Sequence, residues 1–199
     1  LYAYVVKTGR EEDFRLFSLV DIKRSTPFNP FTGGTAQEVS ERVFSSFPIE
    51  HPHFKPVQQK IFSNLVILLK ECGINPTFSL IHRLLTDMDF LAGFVTHAKD
   101  GELKRILDSL VRKSEKDRSN ETSGLEANLS PFAVGEHSSL FNSIEGIEFD
   151  DALRNNRICY FQLPTMLYPF LGEATGKLVL QSFQSAVAKR HTGLSSRNQ

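Results

Sequence analysis

Gly172-Glu173-Ala174-Thr175-Gly176-Lys177-Leu178 has the residue types of a phosphate-binding loop, two glycines followed by a lysine. Such a loop cradles phosphate oxygens with backbone N–H groups, needs four residues between its glycines, and follows its lysine with Ser or Thr. Here three residues separate the glycines and Leu178 follows Lys177. The segment also reads as helix, so Gly172 and Gly176 are expected to let that helix pack closely on a sheet. Gly33-Gly34 ahead of Thr35 either offers backbone N–H groups to an anion at a helix N-terminus or makes a flexible turn. Of the six histidines, His51 and His53 form the close pair; a metal there needs two more ligands, so a solvated loop is the expectation. Asp150 and Asp151 fit a helix start, where carboxylates cap and meet the dipole. Cys72 and Cys159 lie far apart without CxxC spacing or a nearby His pair, which suits a reducing compartment. No Ser/His/Asp or Cys/His arrangement stands out. No catalytic, metal-binding or cofactor-binding residue is therefore assigned.

Cations offer the remaining chemistry. Lys99, Lys104, Arg105, Arg112, Lys113, Lys116 and Arg118 are interleaved with Asp100, Glu102, Asp108, Glu115 and Asp117, a surplus of two. Lys189, Arg190 and Arg197 form a second group. A mixed-charge solvated face is one reading and phosphate contact by a few of these side chains is the other. Lys104, Arg105, Arg112 and Lys113 are the expected substrate contacts, because their helix is polar on one face and leads into an exposed stretch. The 199-residue chain carries Lys plus Arg equal to Asp plus Glu at 23 each, so no global field draws nucleic acid or membrane, and binding must come from such local patches. With 40% hydrophobic residues the chain can bury a core. Its longest apolar run, Leu65 to Leu69, is far short of the ~20 residues of a membrane span.

The elements that must position these groups read as mainly helical. Leu1 to Asp13 reads as the tail of a helix and Phe14 to Asp21 as a short buried strand. Ser25 to Gly34, with two prolines and two glycines, is an exit loop. Thr35 with Glu38 makes a capping box ahead of Val39, Val43 and Phe47. Pro56 opens a long helix through Ile61, Leu65, Leu68 and Leu69 that Gly73 and Pro76 close. Thr77 and Asp87 cap two further helices, and Glu102 starts another through Leu103, Ile106, Leu107 and Leu110. Arg112 to Ser123, without an apolar residue, is expected to be a solvent-exposed, partly disordered connection. Helical candidates follow around Leu125, Leu129 and Phe132, then Leu140, Phe141 and Ile144. Arg157 to Leu163 reads as a second strand stopped by Pro164, and Leu171 to His191 as a long helix facing inward through Leu178, Val179, Phe183 and Val187. Two strands alone make no stable sheet, and the ends, Leu1-Tyr2-Ala3-Tyr4 and Leu194 to Gln199, carry no initiator Met and a polar string. The expectation is a piece cut from a longer parent that completes the sheet.

The order of these pieces resembles a known family. The strand ending in Asp21, the exit Ser25-Thr26-Pro27-Phe28-Asn29-Pro30-Phe31, the helical segment, Phe149 to Asn155, and Ile158-Cys159-Tyr160-Phe161-Gln162-Leu163-Pro164 leading into Gly176 to Gln181 are similar to the type IV secretion coupling proteins of the TraD/TraG/TrwB family. The resemblance implies a helical bundle, the all-α domain, inserted in a fragment of a RecA-like α/β motor domain that contributes about two strands. It implies motor segments over 1–34 and 156–199, with the all-α domain at 35–155. It further implies a hexamer at the cytoplasmic side of the bacterial inner membrane, with ATP and Mg bound by the parent outside this chain. The implied partners are DNA, single- or double-stranded, a relaxase or secreted effector protein, and secretion-channel proteins. The chain would then engage substrate while the absent parts hydrolyse ATP. Two other readings stand beside it: a helical protein-interaction module docking through Phe44, Phe47 or Phe141 without touching DNA, and the insert of another RecA-like DNA translocase.

Overall fold

The computed structural model describes residues 1–48 and 54–195, with side chains to 193. His51 and His53 lie outside the described residues, as does Arg197. The chain starts with helix α1 (Tyr2–Lys7) and, after a 3-10 turn over Glu11–Asp13, strand β1 (Phe14–Ser18). Eight helices follow: α2 (Ala36–Phe44), α3 (Lys55–Glu71), α4 (Phe78–Thr86), α5 (Met88–Val95), α6 (Gly101–Arg112), α7 (Glu115–Ala133), α8 (Ser138–Phe141) and α9 (Phe149–Arg154). Strand β2 (Ile158–Gln162) and helix α10 (Pro169–Ser195) complete the order. The fold is mainly helical with a small two-stranded sheet.

β1 and β2 pair in parallel, in register from Phe14 opposite Ile158 to Ser18 opposite Gln162. Parallel neighbours need a crossover connection, and here the crossover is the whole run from α2 to α9. β1 stops at Ser18, short of the expected Asp21, because the Ser18 hydroxyl turns back to accept the Val20 and Asp21 N–H groups at 3.2 and 3.0 Å. The same hydroxyl donates to Gln162 Oε1 at 2.8 Å, joining the two strand ends.

Local signals place most helix starts. Thr35 accepts the Glu38 N–H at 3.2 Å while Glu38 Oε2 accepts the Thr35 N–H at 2.7 Å, the reciprocal box that begins α2. Pro56 sits in the first turn of α3, and Gly73, with φ +73°, lets the chain leave it. Thr77 accepts from Leu80 N, Asp87 from Phe90 N, and Asp100 from Glu102 N and Leu103 N. α6 therefore begins one residue before Glu102.

The stretch Arg112 to Ser123 is mostly solvent-exposed, as expected, but most of it is helix rather than irregular connection: Arg112 ends α6, Lys113 and Ser114 link the helices, and Glu115 to Ser123 form the first half of α7. Ser114 caps it by accepting the Asp117 N–H at 3.2 Å, Glu115 and Asp117 occupy the dipole-favoured first turn, and Thr122 is buried against the bundle. Lys113 clamps Glu121 with its Nζ at 2.5 Å from both carboxylate oxygens, fixing this half of the helix against the end of α6. The buried Leu125, Leu129 and Phe132 of the second half hold the rest.

One contiguous apolar cluster runs from the sheet through the helices, across positions 35 and 155. Phenylalanine rings link it: Phe17 lies 5.4 Å from Phe141, Phe141 4.9 Å from Phe132, Phe132 stacks on Phe78 at 4.6 Å, and Phe78 meets Phe31 at 4.9 Å. Phe44, Phe47 and Phe141, expected as exposed docking anchors in the interaction-module reading, belong to this cluster at 5% exposure or less. On α10 the inward side is Leu171, Ala174, Leu178, Ser182 and Ala186, whereas Phe183, expected to face inward, is 41% exposed. Gly172 and Gly176 lie inside α10. A Cβ on Gly172 would sit 3.2 Å from Thr165 Cγ2 and 3.3 Å from Thr165 Cα, so close packing is its role.

Candidate functional site: the basic face of helix α6

Leu103, Leu107 and Leu110 bury one side of α6, which forces the intervening residues outward. At 3.6 residues per turn, Lys104, Arg105, Asp108 and Arg112 fall within a sector of about 100° on the opposite side. Lys104, Arg105 and Arg112 are exposed there, and Lys113, just past the helix end, is half-buried. The sequence-expected contact residues are therefore brought together, but they are not equivalent. Arg105 grips Glu102 with Nε at 2.8 Å and Nη2 at 2.5 Å. The Arg105 guanidinium beside Glu102 holds that carboxyl below its ordinary range. Lys113 is committed to Glu121. Lys104 and Arg112 carry no ion pair among the described residues. Of the four expected contacts, they are the two free to meet a phosphate without first breaking a bridge.

Beside this face a groove of about 380 Å³ separates α3 from α6. Lys60, Arg105, Lys113 and Glu121 line it, together with Asn64, whose buried Nδ2 has no hydrogen-bond partner. Lys60 and Asn64 did not figure among the sequence candidates. Their spacing of four residues on α3 places them one turn apart, a signal masked by the apolar run that dominates that helix.

The other sequence candidates settle as structural groups. Asp150 and Asp151 occupy the first turn of α9; Asp151 Oδ1 accepts from Asn155 Nδ2 at 2.6 Å, and its Oδ2 lies 3.8 Å from Arg157 Nε. His137 is buried, with Nε2 2.8 Å from the Leu19 carbonyl. Burial pushes the Cys159 thiol upward, away from a thiolate. No group of three or more His, Cys, Asp or Glu that could hold a metal exists among the described residues. No described helix is long and apolar enough to cross a membrane. Neither a family model, nor a curated protein, nor a solved structure matches the chain.

Proposed function

We propose that the chain is the substrate-engaging helical part of a coupling ATPase of the type IV secretion kind, inserted between two strands of a RecA-like motor domain. ATP and Mg belong to the parent in this reading, the assembly is a hexamer on the cytoplasmic side of a bacterial inner membrane, and the engaged substrate is DNA or a relaxase or effector protein. The parallel pairing of β1 with β2 around a helical crossover supports the inserted arrangement, since an autonomous helical bundle has no need of two sheet strands at its base. DNA phosphate is the substrate chemistry favoured, and the observation that carries it is the pair Lys104 and Arg112, unbridged on one exposed helix face. Six subunits in a ring would multiply this small local surplus of charge.

Fluorescence anisotropy with a labelled single-stranded oligonucleotide tests the DNA contact. Two phosphates contacted per chain give a slope of log K against log salt of about −1.4. The Lys104→Glu, Arg112→Glu double variant is expected to flatten that slope and weaken binding at least about tenfold, roughly the 1.4 kcal/mol of one lost charged contact. Arg105→Ala is expected to do less, because Glu102 already holds Arg105. Binding that is absent, or that ignores salt and the double variant, removes DNA from the proposal.

A further inference from the structure

A second cavity shares no residue with the α6 groove; the Gly33-Gly34 turn, the start of α9 and the later turns of α10 enclose it. Two of its lining side chains, Arg42 and Ser182, are only 8% and 9% exposed. Arg42 Nε and Ser182 Oγ are nevertheless buried without a hydrogen-bond partner. Orphaned donors in an interior are uncommon and require an acceptor. Part of the Arg42 guanidinium is already used: Nη2 donates to the carbonyls of Pro30, Thr32 and Gly33 at 2.7, 2.9 and 3.3 Å. Those bonds hold the group in place and leave Nε without a partner beside the cavity.

Cations crowd this place. Lys70 Nζ donates to the Gly34 carbonyl at 2.8 Å, and a Cβ on Gly33 would lie 3.5 Å from Lys189 Nζ. None of Arg42, Lys70 and Lys189 has an ion pair among the described residues. Burial lowers the Lys70 ammonium from its ordinary value, and the nearness of Arg42 and Lys189 lowers it further. The facing carboxylates are Glu38, occupied by the Thr35 N–H, Asp150, whose Oδ2 would lie 3.6 Å from a Cβ on Gly33, and the exposed Glu148. An adjoining groove of about 530 Å³ shares Asp150 and Lys189 and adds Arg154 and Arg190. Five cations thus face three carboxylates.

The cavity itself is about 40 Å³, where one water needs ~10–15 Å³. It has room for about three waters or for one compact tetrahedral oxyanion in their place. Its donors are buried, so a group with three unsubstituted oxygens enters more readily than a phosphodiester, whose two ester substituents must also clear the mouth. We propose that this cavity is a binding site for a terminal phosphate group, inorganic phosphate or a phosphomonoester, with Arg42 Nε and Ser182 Oγ donating at its floor and Lys189 closing its mouth. The site is independent of the contact surface on α6.

Thermal unfolding of the chain in about 10 mM sodium phosphate, against sodium chloride of matched ionic strength, is the test. Occupation at many times Kd raises the midpoint by several degrees, roughly 3–6 °C. ATP and a 5′-phosphorylated oligonucleotide are compared at equal concentration, the larger shift identifying a nucleotide or a nucleic-acid end as the source of the same group, whereas an unphosphorylated oligonucleotide does not act here. Lys189→Gln should weaken the phosphate effect about tenfold, one lost charged contact. Ser182→Ala gives the second reading: it removes an unpaired hydroxyl, so the ligand-free midpoint holds or rises while the phosphate shift shrinks. The Lys104→Glu, Arg112→Glu variant keeps the full shift, which separates this site from the α6 face. Equal midpoints in phosphate and chloride, a full shift retained in Lys189→Gln, or a Lys189-dependent shift from the unphosphorylated oligonucleotide would each overturn the proposal.

Discussion

Gly146 approaches the exit loop so closely that a Cβ there would lie 2.2 Å from the Pro27 carbonyl oxygen. That carbonyl accepts the Ile147 N–H at 2.7 Å, and next to it Phe28 donates its N–H to Leu140 at 2.7 Å. These two bonds stitch the exit of β1 to the segment that leads into α9 and hold Phe28 in the core. Gly146→Ala must push backbone against backbone, and we expect a loss of about 2–4 kcal/mol in denaturant unfolding. Gly93, in the middle of α5 with nothing within 4 Å of its Cβ position, supplies the contrast: Gly93→Ala should gain about 0.5–1 kcal/mol from helix propensity. Equal effects at the two positions would contradict this packing. Neither difference is readable in sequence, where both are a glycine between polar or apolar neighbours. The same holds for Arg42, Ser182 and Lys189, whose convergence depends on how α2 and α10 meet. By contrast Lys104, Arg105 and Arg112 could be singled out beforehand, because one helix period alone puts them together, and Lys113 because it follows at the helix end; the different pairing of Arg105 with Glu102 and Lys113 with Glu121 could not.

At the scale of elements, the capped helices were legible because their signals are local. Thr35 with Glu38, Pro56, Gly73, Thr77 and Asp87 each act within a turn of the chain, and the structure places each where its chemistry requires. α7 was hidden for the opposite reason. Its first half has no apolar stripe, and what makes it helical is a cap at Ser114 and a bridge from Lys113 to Glu121 that depends on where α6 ends. The capping box of α2 also has a pH signature. The Thr35 N–H donating to Glu38, with Lys189 and Arg42 adding attraction, holds the Glu38 carboxyl below its ordinary range. A carboxyl lowered on folding contributes stability above the unfolded value, ~4.3 for Glu, and that contribution fades as pH falls through the lower folded value. Glu38→Gln keeps an acceptor but loses the charge. Its thermal midpoint is therefore expected below that of the parent chain at neutral pH and to converge with it as the solution is acidified past the carboxylate range. A gap unchanged by pH would mean that the charge contributes nothing.

For the whole molecule, the boundaries read at 35 and 155 separate strands from helices in sequence, yet the core does not divide there. Phe17, Leu19, Phe28 and Phe31 before position 35, and Leu171, Ala174 and Leu178 after 155, belong to the same cluster as Phe62, Phe78, Phe132 and Phe141. The two families of side chains touch ring to ring: Phe17 against Phe141 at 5.4 Å, Phe31 against Phe78 at 4.9 Å, Phe132 against Phe170 at 6.1 Å. Burial of a large apolar side chain contributes about 1.5–3 kcal/mol. Removing both flanks thus withdraws on the order of 10 kcal/mol, comparable with the whole stability of a typical domain. Residues 35–155 produced alone are therefore expected to keep helical circular dichroism while losing cooperative thermal unfolding and binding a hydrophobic dye, the marks of a collapsed state without fixed packing. If that shorter chain instead unfolds in one sharp transition near the midpoint of the full chain, the helical segment is autonomous and the strands are only its attachment. If it behaves as expected, any displacement of the sheet is felt in the helical core through the phenylalanine contacts.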